Sequence, residues 1–220
     1  MTAPIDKQIT GIILSGGLSR RMGGGDKGLI ELAGTSMVAR VAARIRPQVD
    51  RIVLNANGPA DRFAHLGLPV VADTVSGFVG PLAGVLAGMR WSMEHAPAAK
   101  RILTVSADAP FVPLDLATRL ADGLLRDQGA CIALASSGGR IHPVIGLWPV
   151  SLAGALETAL MDGERRVGVW AEAQGRVAVE FLSVDVDGES IDPFYNANTP
   201  EELDEARRIA GVMERRHTRS

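Results

Sequence analysis

Residues 9–28 read Ile9-Thr10-Gly11-Ile12-Ile13-Leu14-Ser15-Gly16-Gly17-Leu18-Ser19-Arg20-Arg21-Met22-Gly23-Gly24-Gly25-Asp26-Lys27-Gly28. The first six are mainly apolar and rich in β-branched side chains, and Ser15 with two glycines ends the run. That is the signature of a short strand buried on both faces, the kind found inside a parallel sheet. Met37, Val38, Val41, Ala42 and Ile45 then recur with helical spacing until Pro47 stops them.

The same alternation continues along the chain. Strands are expected over 51–54 and 69–72 with a short helix near 60–66 between them, then a helix begun by Pro81 that places Leu82, Val85, Leu86 and Met89 on one face. A strand over 102–105 precedes a helix begun by Pro113, with Leu116, Leu120 and Leu124 as its stripe. Later strands are expected over 130–135, 144–148 and 177–184, and helices over 151–160 and 166–173. In the last helix, Thr199-Pro200-Glu201-Glu202 supplies an N-cap, an N1 proline and a glutamate at N3. The predicted class is α/β, a Rossmann-like three-layer sandwich whose mostly parallel central sheet is covered by helices on both faces. Ligands in such folds sit beyond the carboxyl ends of the strands, so the loops after Leu14, Leu54, Ala72 and Val105 should converge on one cleft.

Composition restricts the function classes. Of 220 residues, 46% are hydrophobic and 22% charged, which suits a globular chain with a real core, and the formal net charge of −2 leaves no electrostatic footprint for nucleic acid or an anionic membrane. No stretch approaches the roughly 20 apolar residues that span a bilayer, and the first apolar run is too short for a signal sequence. A cytoplasmic location is expected. Cys131, the one cysteine, reads as a small buried apolar residue, and His65, His95, His142 and His217 have no zinc-ligand spacing.

The loop after Leu14 combines glycines, which let backbone N–H groups approach an anion, with Arg20, Arg21 and Lys27, which supply charge. These are the parts of a triphosphate cradle, although a solvated Gly-rich turn has the same composition. A P-loop is excluded, because Lys27 follows Asp26 and precedes Gly28. The match of residues 23–28 to G-x-G-x-x-G lies too far past the strand and opens no evident helix, so a nicotinamide site is a poor reading. Asp108 at a strand end is a natural Mg²⁺ ligand or a turn cap. Asp73 also follows a strand, and Asn55 and Asn57 either read a base edge or shape a turn. Gly84 and Gly88 sit inside a helix, where packing explains them as well as a ligand does. His142 touches an anion or is a hydrogen-bonded structural histidine. Arg165 and Arg166 are site residues or solvated surface, and Asn196 and Asn198 bind substrate or shape the turn before the last helix.

Taken in order, Leu14-Ser15-Gly16-Gly17, Arg20–Gly24, Asp26-Lys27-Gly28, Asn55-Ala56-Asn57, Gly80-Pro81-Leu82-Ala83-Gly84, Asp108 with Pro110, His142-Pro143, Glu164-Arg165-Arg166-Val167 and Asn196-Ala197-Asn198-Thr199-Pro200 resemble the molybdenum cofactor guanylyltransferases of the nucleotidyltransferase superfamily. The resemblance runs from about Gly11 to Ala206. It implies one nucleotidyltransferase domain over 1–220, with a nucleotide half at about 9–110 and an acceptor half at about 111–210. The implied reaction moves GMP from GTP to the terminal phosphate of molybdopterin and releases pyrophosphate, with Mg²⁺ as cofactor.

The resemblance also assigns residues. Leu14, Ser15, Gly16, Gly17, Lys27, Asn55, Asp73 and Asp108 hold the nucleotide; Arg21, Lys27 and Asp108 are catalytic, with Asp108 on the metal; Arg165, Arg166, Asn196 and Asn198 face the pterin. Implied partners are GTP and molybdopterin, with cofactor-insertion proteins or acceptor molybdoenzymes downstream. Two departures stand out: Ser15 replaces the alanine usual in its motif, and Ser106, Ala107 and Ala109 around Asp108 differ from commoner versions. A molybdopterin cytidylyltransferase or another small-molecule nucleotidylyltransferase is the nearest alternative, and a non-catalytic nucleotide-binding regulator is a rival of another class.

Overall fold

The computed structural model of the chain describes residues 8–16, 26–74, 80–197 and 199–217. Strand β1 (Ile9–Leu14) is buried along its whole length, as its unbroken apolar run requires. After it come a two-stranded hairpin of β2 (Glu31–Leu32) and β3 (Thr35–Ser36), then α1 (Met37–Ile45), whose N-cap Ser36 accepts from the Ala39 N–H. β4 (Arg51–Asn55), a 3-10 turn at Ala60–Leu66 and β5 (Val70–Val71) lead to α2 (Pro81–His95) and β6 (Arg101–Ser106). The second half runs α3 (Leu116–Arg126), β7 (Ile132–Ser137), β8 (Arg140–Pro149), α4 (Ala153–Met161), α5 (Val167–Ala173) and β9 (Arg176–Glu180). A second small hairpin, β10 (Val184–Val186) with β11 (Glu189–Ile191), precedes α6 (Pro200–His217).

Seven strands form one sheet in the order β5-β4-β1-β6-β8-β7-β9. β1 pairs in parallel with β4 and β6, and β7 with β9, whereas β8 runs antiparallel to both of its neighbours. Because side chains alternate along β1, Ile9 and Ile13 pack with α1 and α3 on one face. Ile12 and Leu14 pack with α2, α4 and α5 on the other. The predicted three layers are present, with one reversed strand among the parallel ones.

Several boundaries differ from the sequence reading, each for an identifiable reason. The strand expected over 144–148 begins earlier, at Arg140, and this β8 folds back on β7 through Gly138 and Gly139. Both glycines have positive φ (54° and 75°), the conformation a two-residue hairpin turn demands. Ala33-Gly34 and Asp187-Gly188 make the same kind of turn in the two small hairpins. The predicted 177–184 strand breaks after Glu180, because Phe181 turns into the core and its N–H bonds the Ser136 carbonyl at 2.7 Å. α3 begins at Leu116, three residues past Pro113. There the buried Gln48 bridges the Pro113 carbonyl and the Ala117 N–H, both at 2.9 Å. Cys131 is only partly buried, and its thiol donates to the Gln174 carbonyl at the sheet margin.

α6 starts with the expected capping box: Thr199 Oγ1 accepts from the Glu202 N–H at 3.2 Å, and Glu202 Oε2 accepts from the Thr199 N–H at 3.0 Å. Its apolar stripe packs on both small hairpins through Leu32, Val186 and Ile191, and on Met37 at the start of α1. This third cluster holds the chain on either side of Asn196 against the segment that follows Lys27.

Candidate active site

The sheet order reverses at β1, since β4 and β5 extend to one side of it and β6 lies on the other. At such a switch point the loops leaving adjacent strands part and leave a crevice. β1, β4 and β6 end almost flush, with Leu14 in register with both Asn55 and Ser106. The Ser15 N–H continues the ladder to the Asn55 carbonyl at 2.9 Å, and the Ala107 N–H bonds the Leu14 carbonyl at 3.0 Å. All three loops therefore start from one row.

Lys27 and Asp108 meet across this crevice. Lys27 Nζ donates to Asp108 Oδ2 and to Asn196 Oδ1, each at 2.6 Å. The pair is mostly shielded, with side-chain exposures of 14% and 19%, so its field is screened far less than that of a surface pair. The Ser106 hydroxyl donates to Asp108 Oδ1 at 2.5 Å and sets the carboxylate plane. Gly28 keeps this corner tight, because a Cβ there would lie 3.1 Å from Ala107 Cβ.

A second group forms at the ends of β4 and β5. The Asn55 amide donates to Asp73 Oδ1 at 3.0 Å and to the Val71 carbonyl at 3.2 Å. Asn57 donates to Asp73 Oδ2 at 2.8 Å and accepts from the Asp73 N–H at 2.9 Å. Asp73 is thus presented by two amides with its remaining lone pairs available.

Arg62, inside the short helix expected over 60–66 and not among the expected site residues, links the two groups. Its Nε donates to Asp26 Oδ2 at 2.9 Å, and its Nη atoms reach the Pro59 and Asn57 carbonyls at 2.7 Å. Ser15 donates its hydroxyl to Asp26 Oδ1 at 3.0 Å, so the residue that replaces the usual alanine adds a bond. No local pattern marks Arg62. In the sequence Asp26 is the residue that rules out a P-loop and part of the Asp26-Lys27-Gly28 motif, with no role of its own expected in the site.

Leu14 is buried at the rim and Gly16 is exposed, with open space where a Cβ would sit. Gly17, Arg20, Arg21 and Asn198 lie outside the described residues. Arg165 and Arg166 stand apart from the Lys27 group in the contacts described. Arg165 donates to the Leu160 carbonyl at 2.9 Å and bonds the Glu164 carbonyl at 2.7 Å. Glu164 accepts the N–H groups of both arginines at 2.9 Å and Arg166 Nε at 3.2 Å. These bonds, led by the Arg166 N–H, hold its carboxyl down to about 2. The arginines border a cleft of about 690 Å³ between α4 and α5, walled by Ala159, Val169 and Trp170.

Among the described residues no three His, Cys, Asp or Glu side chains gather as a metal cage. The donor chemistry of Asp108 still fits a hard cation of the magnesium type, which takes one or two carboxylates and completes its shell with water and substrate phosphates.

The chain matches the MobA-like NTP transferase domain over residues 11–177. It is 52% identical over 200 residues to a molybdenum cofactor guanylyltransferase of Rhodopseudomonas palustris (strain BisB5), covering 90% of this chain and 92% of that one. A molybdenum cofactor guanylyltransferase of Bradyrhizobium sp. (strain ORS 278) is 47% identical over 215 residues, covering 98% and 99%. Molybdopterin-guanine dinucleotide biosynthesis protein A from Archaeoglobus fulgidus shares the fold, with a TM-score of 0.71 at 24% identity over 92% of this chain and 98% of that one. A Mycobacterium tuberculosis protein solved in complex with manganese shares it with a TM-score of 0.58 at 19% identity, covering 92% and 98%. A lysine–carboxylate pair across the switch point, a family match over most of the sequence and near end-to-end relatives at about half identity together place this chain: it belongs to the MobA-like NTP transferase family and is a nucleotidyltransferase.

Proposed function

We infer that the chain transfers GMP from GTP to the terminal phosphate of molybdopterin and releases pyrophosphate, with Mg²⁺ as the divalent ion. The observation that carries the reading is the meeting of Lys27, Asp108 and Asn196 where β1 and β6 end. One phosphate-binding cation and one metal-binding carboxylate stand there beside an amide from the other half of the chain. The relatives named for this activity cover nearly the whole chain, which favours it over the cytidylyl alternative.

The chemistry needs little beyond alignment and charge. A phosphate monoester is already an anion near neutral pH, so one of its oxygens can attack the α-phosphorus without a strong base. A P–O bond forms there as the α–β bridging bond breaks, and pyrophosphate leaves with the electron pair. Lys27 stabilises the transferring and leaving phosphates, and Asp108 holds the metal. When bound, the divalent ion neutralises charge on the reacting phosphates. Leu14, Ser15, Gly16 and Asn55 line the nucleotide side. Asp73 accepts from the base: guanine offers N1–H and N2–H donors together, whereas cytosine offers one amino group, and a doubly held carboxylate suits the former.

On the acceptor side we place Asn196, Arg165 and Arg166. Gly17, Arg21 and Asn198 join these groups on sequence grounds alone. The nucleotide half spans about 9–110 and the acceptor half about 111–210 of a single domain. No helix of the described residues is long and apolar enough to cross a membrane, and a cytoplasmic location is part of the same proposal.

Thermal stability measured with GTP, CTP, ATP and NAD, each with and without Mg²⁺, tests the reading. A ligand at 100 times its Kd adds about 2.7 kcal/mol, and that shift is expected for GTP with Mg²⁺. A clear shift with CTP and none with GTP would overturn the guanine assignment. Absence of pyrophosphate release on adding molybdopterin would overturn the transfer.

A further inference from the structure

His142 does not enter the reaction above, yet the structure builds a chain of hydrogen bonds from it. Ser137, at the end of β7, is buried, and its Oγ lies 2.7 Å from His142 Nε2 on the paired strand β8. The same oxygen lies 2.9 and 3.0 Å from the two carboxylate oxygens of Asp192, the residue that follows β11. A serine hydroxyl has one proton, and an ionised carboxylate has none to give. Ser137 therefore donates to Asp192, and the hydrogen between Ser137 and His142 must come from Nε2. The order of donation is His142 Nε2–H to Ser137 Oγ–H to Asp192.

This arrangement is not that of a nucleophile and its base. In a serine triad the histidine stands between hydroxyl and carboxylate, whereas here the hydroxyl stands in the middle and its proton is committed to Asp192. What the chain does is fasten a loop. Asp192 also accepts the Phe194 N–H at 2.8 Å, and its carbonyl accepts the Tyr195 N–H at 3.0 Å. Phe194 is buried against the His142 ring on one side, with centroids 4.8 Å apart, and against the edge of Phe181 on the other at 5.2 Å. Two residues further on, Asn196 Oδ1 receives Lys27. Burial lowers the His142 pKa, Arg140 adding to this while Asp192 and Glu180 oppose it.

We propose that His142 is a positioning residue for nucleotidyl transfer: acting through Ser137 and Asp192, it fixes the 192–196 loop so that Asn196 holds Lys27 at the reacting phosphates. The proposal rests on the functional reading of Lys27 and Asn196 given above. Its physical basis is that reacting groups misplaced by about 1 Å lose on the order of 10²-fold in rate.

The test compares His142→Phe, which keeps a ring against Phe194 but removes the donor, with His142→Gln, whose amide can donate from nearly the same point. Steady-state pyrophosphate release with GTP and molybdopterin is the first readout. H142F is expected to lose about tenfold in kcat, the worth of one hydrogen bond, with KM for GTP within about twofold of the parent. H142Q should recover most of that loss. Ser137→Ala should match H142F, and the double variant should be no worse than S137A, because both cut one chain.

The second readout does not depend on turnover. The side-chain amide resonances of Asn196 should move in H142F and return in H142Q. Equal kinetics for H142F and H142Q, or an Asn196 amide unmoved in H142F, would overturn the positioning role. Loss of stability alone with unchanged kcat would reduce His142 to packing and overturn it as well. If the parent released no pyrophosphate while the Asn196 amide still followed the donor, the functional reading would fail and the loop-fastening would stand.

Discussion

Gly84 and Gly88 lie one turn apart on the sheet-facing side of α2, and replacing each by alanine separates a packing role from a binding role. A Cβ on Gly84 would press on Asn55, reaching its Cγ at 3.0 Å, and on Leu14 Cδ2 at 2.8 Å. The nearest atoms to a Cβ on Gly88 would belong to Ile12, whose Cγ1, Cδ1 and Cγ2 lie 2.7 to 2.9 Å away. Overpacking of this kind costs about 1–3 kcal/mol, and the better helix propensity of alanine returns about 1. Both variants should therefore lose up to about 2 kcal/mol of stability in urea melts.

The two variants should differ in binding. Asn55 is held by Val71 and Asp73, so it cannot yield to a new Cβ without giving up those bonds. A hydrogen bond to a charged group is worth about 1.5–3 kcal/mol. At 1.4 kcal/mol per tenfold, G84A should bind GTP about ten- to a hundredfold more weakly in a calorimetric titration, while G88A binds like the parent. GTP affinity kept in G84A at the same loss of stability as in G88A would refute the assignment of Asn55 and Asp73 to the base. An equal loss of affinity in both would show that the effect travels through the sheet.

Asp108→Asn keeps the shape of the side chain and removes its charge, and turnover is expected to fall about 10²–10³-fold; near-normal rates across a Mg²⁺ titration would remove the metal assignment. Glu164 offers a pH test. Its carboxyl is held at about 2 by the Arg166 and Arg165 N–H groups and the Arg166 side chain, against an ordinary 4.5. A depressed acid contributes stability fully above its unfolded value and loses it as pH falls through the folded one. The difference in melting temperature between the parent and Glu164→Gln should be constant from pH 5 to 8 and shrink between about 4.5 and 2. A difference that stays level through that range would refute the turn as described.

Much of the framework is local chemistry and can be read residue by residue. Ile9–Leu14 has to be a buried strand because it has no polar face, Pro81 starts a helix through its fixed φ, and the Thr199–Glu202 box starts one through bonds made within a few residues. The hairpin at Gly138-Gly139 and the turn at Asp187-Gly188 carried equally local signals in their dipeptides. What local signals do not contain is the reversed placement of β8, since an apolar strand has the same pattern in either direction.

The glycines, Lys27 and Asp108 announce anion and metal chemistry by residue type, so the sequence alone determined the class of ligand and, through its ordered motifs, the family. Only the tertiary structure decided which groups meet. Lys27 meets Asp108 81 positions away and Asn196 169 positions away, and Arg62 reaches Asp26 across 36. The Ser137–Asp192 bond closes a separation of 55. Such contacts depend on where the sheet brings its strand ends, and a long side chain keeps the same sequence signature whether it reaches into a crevice or out into water.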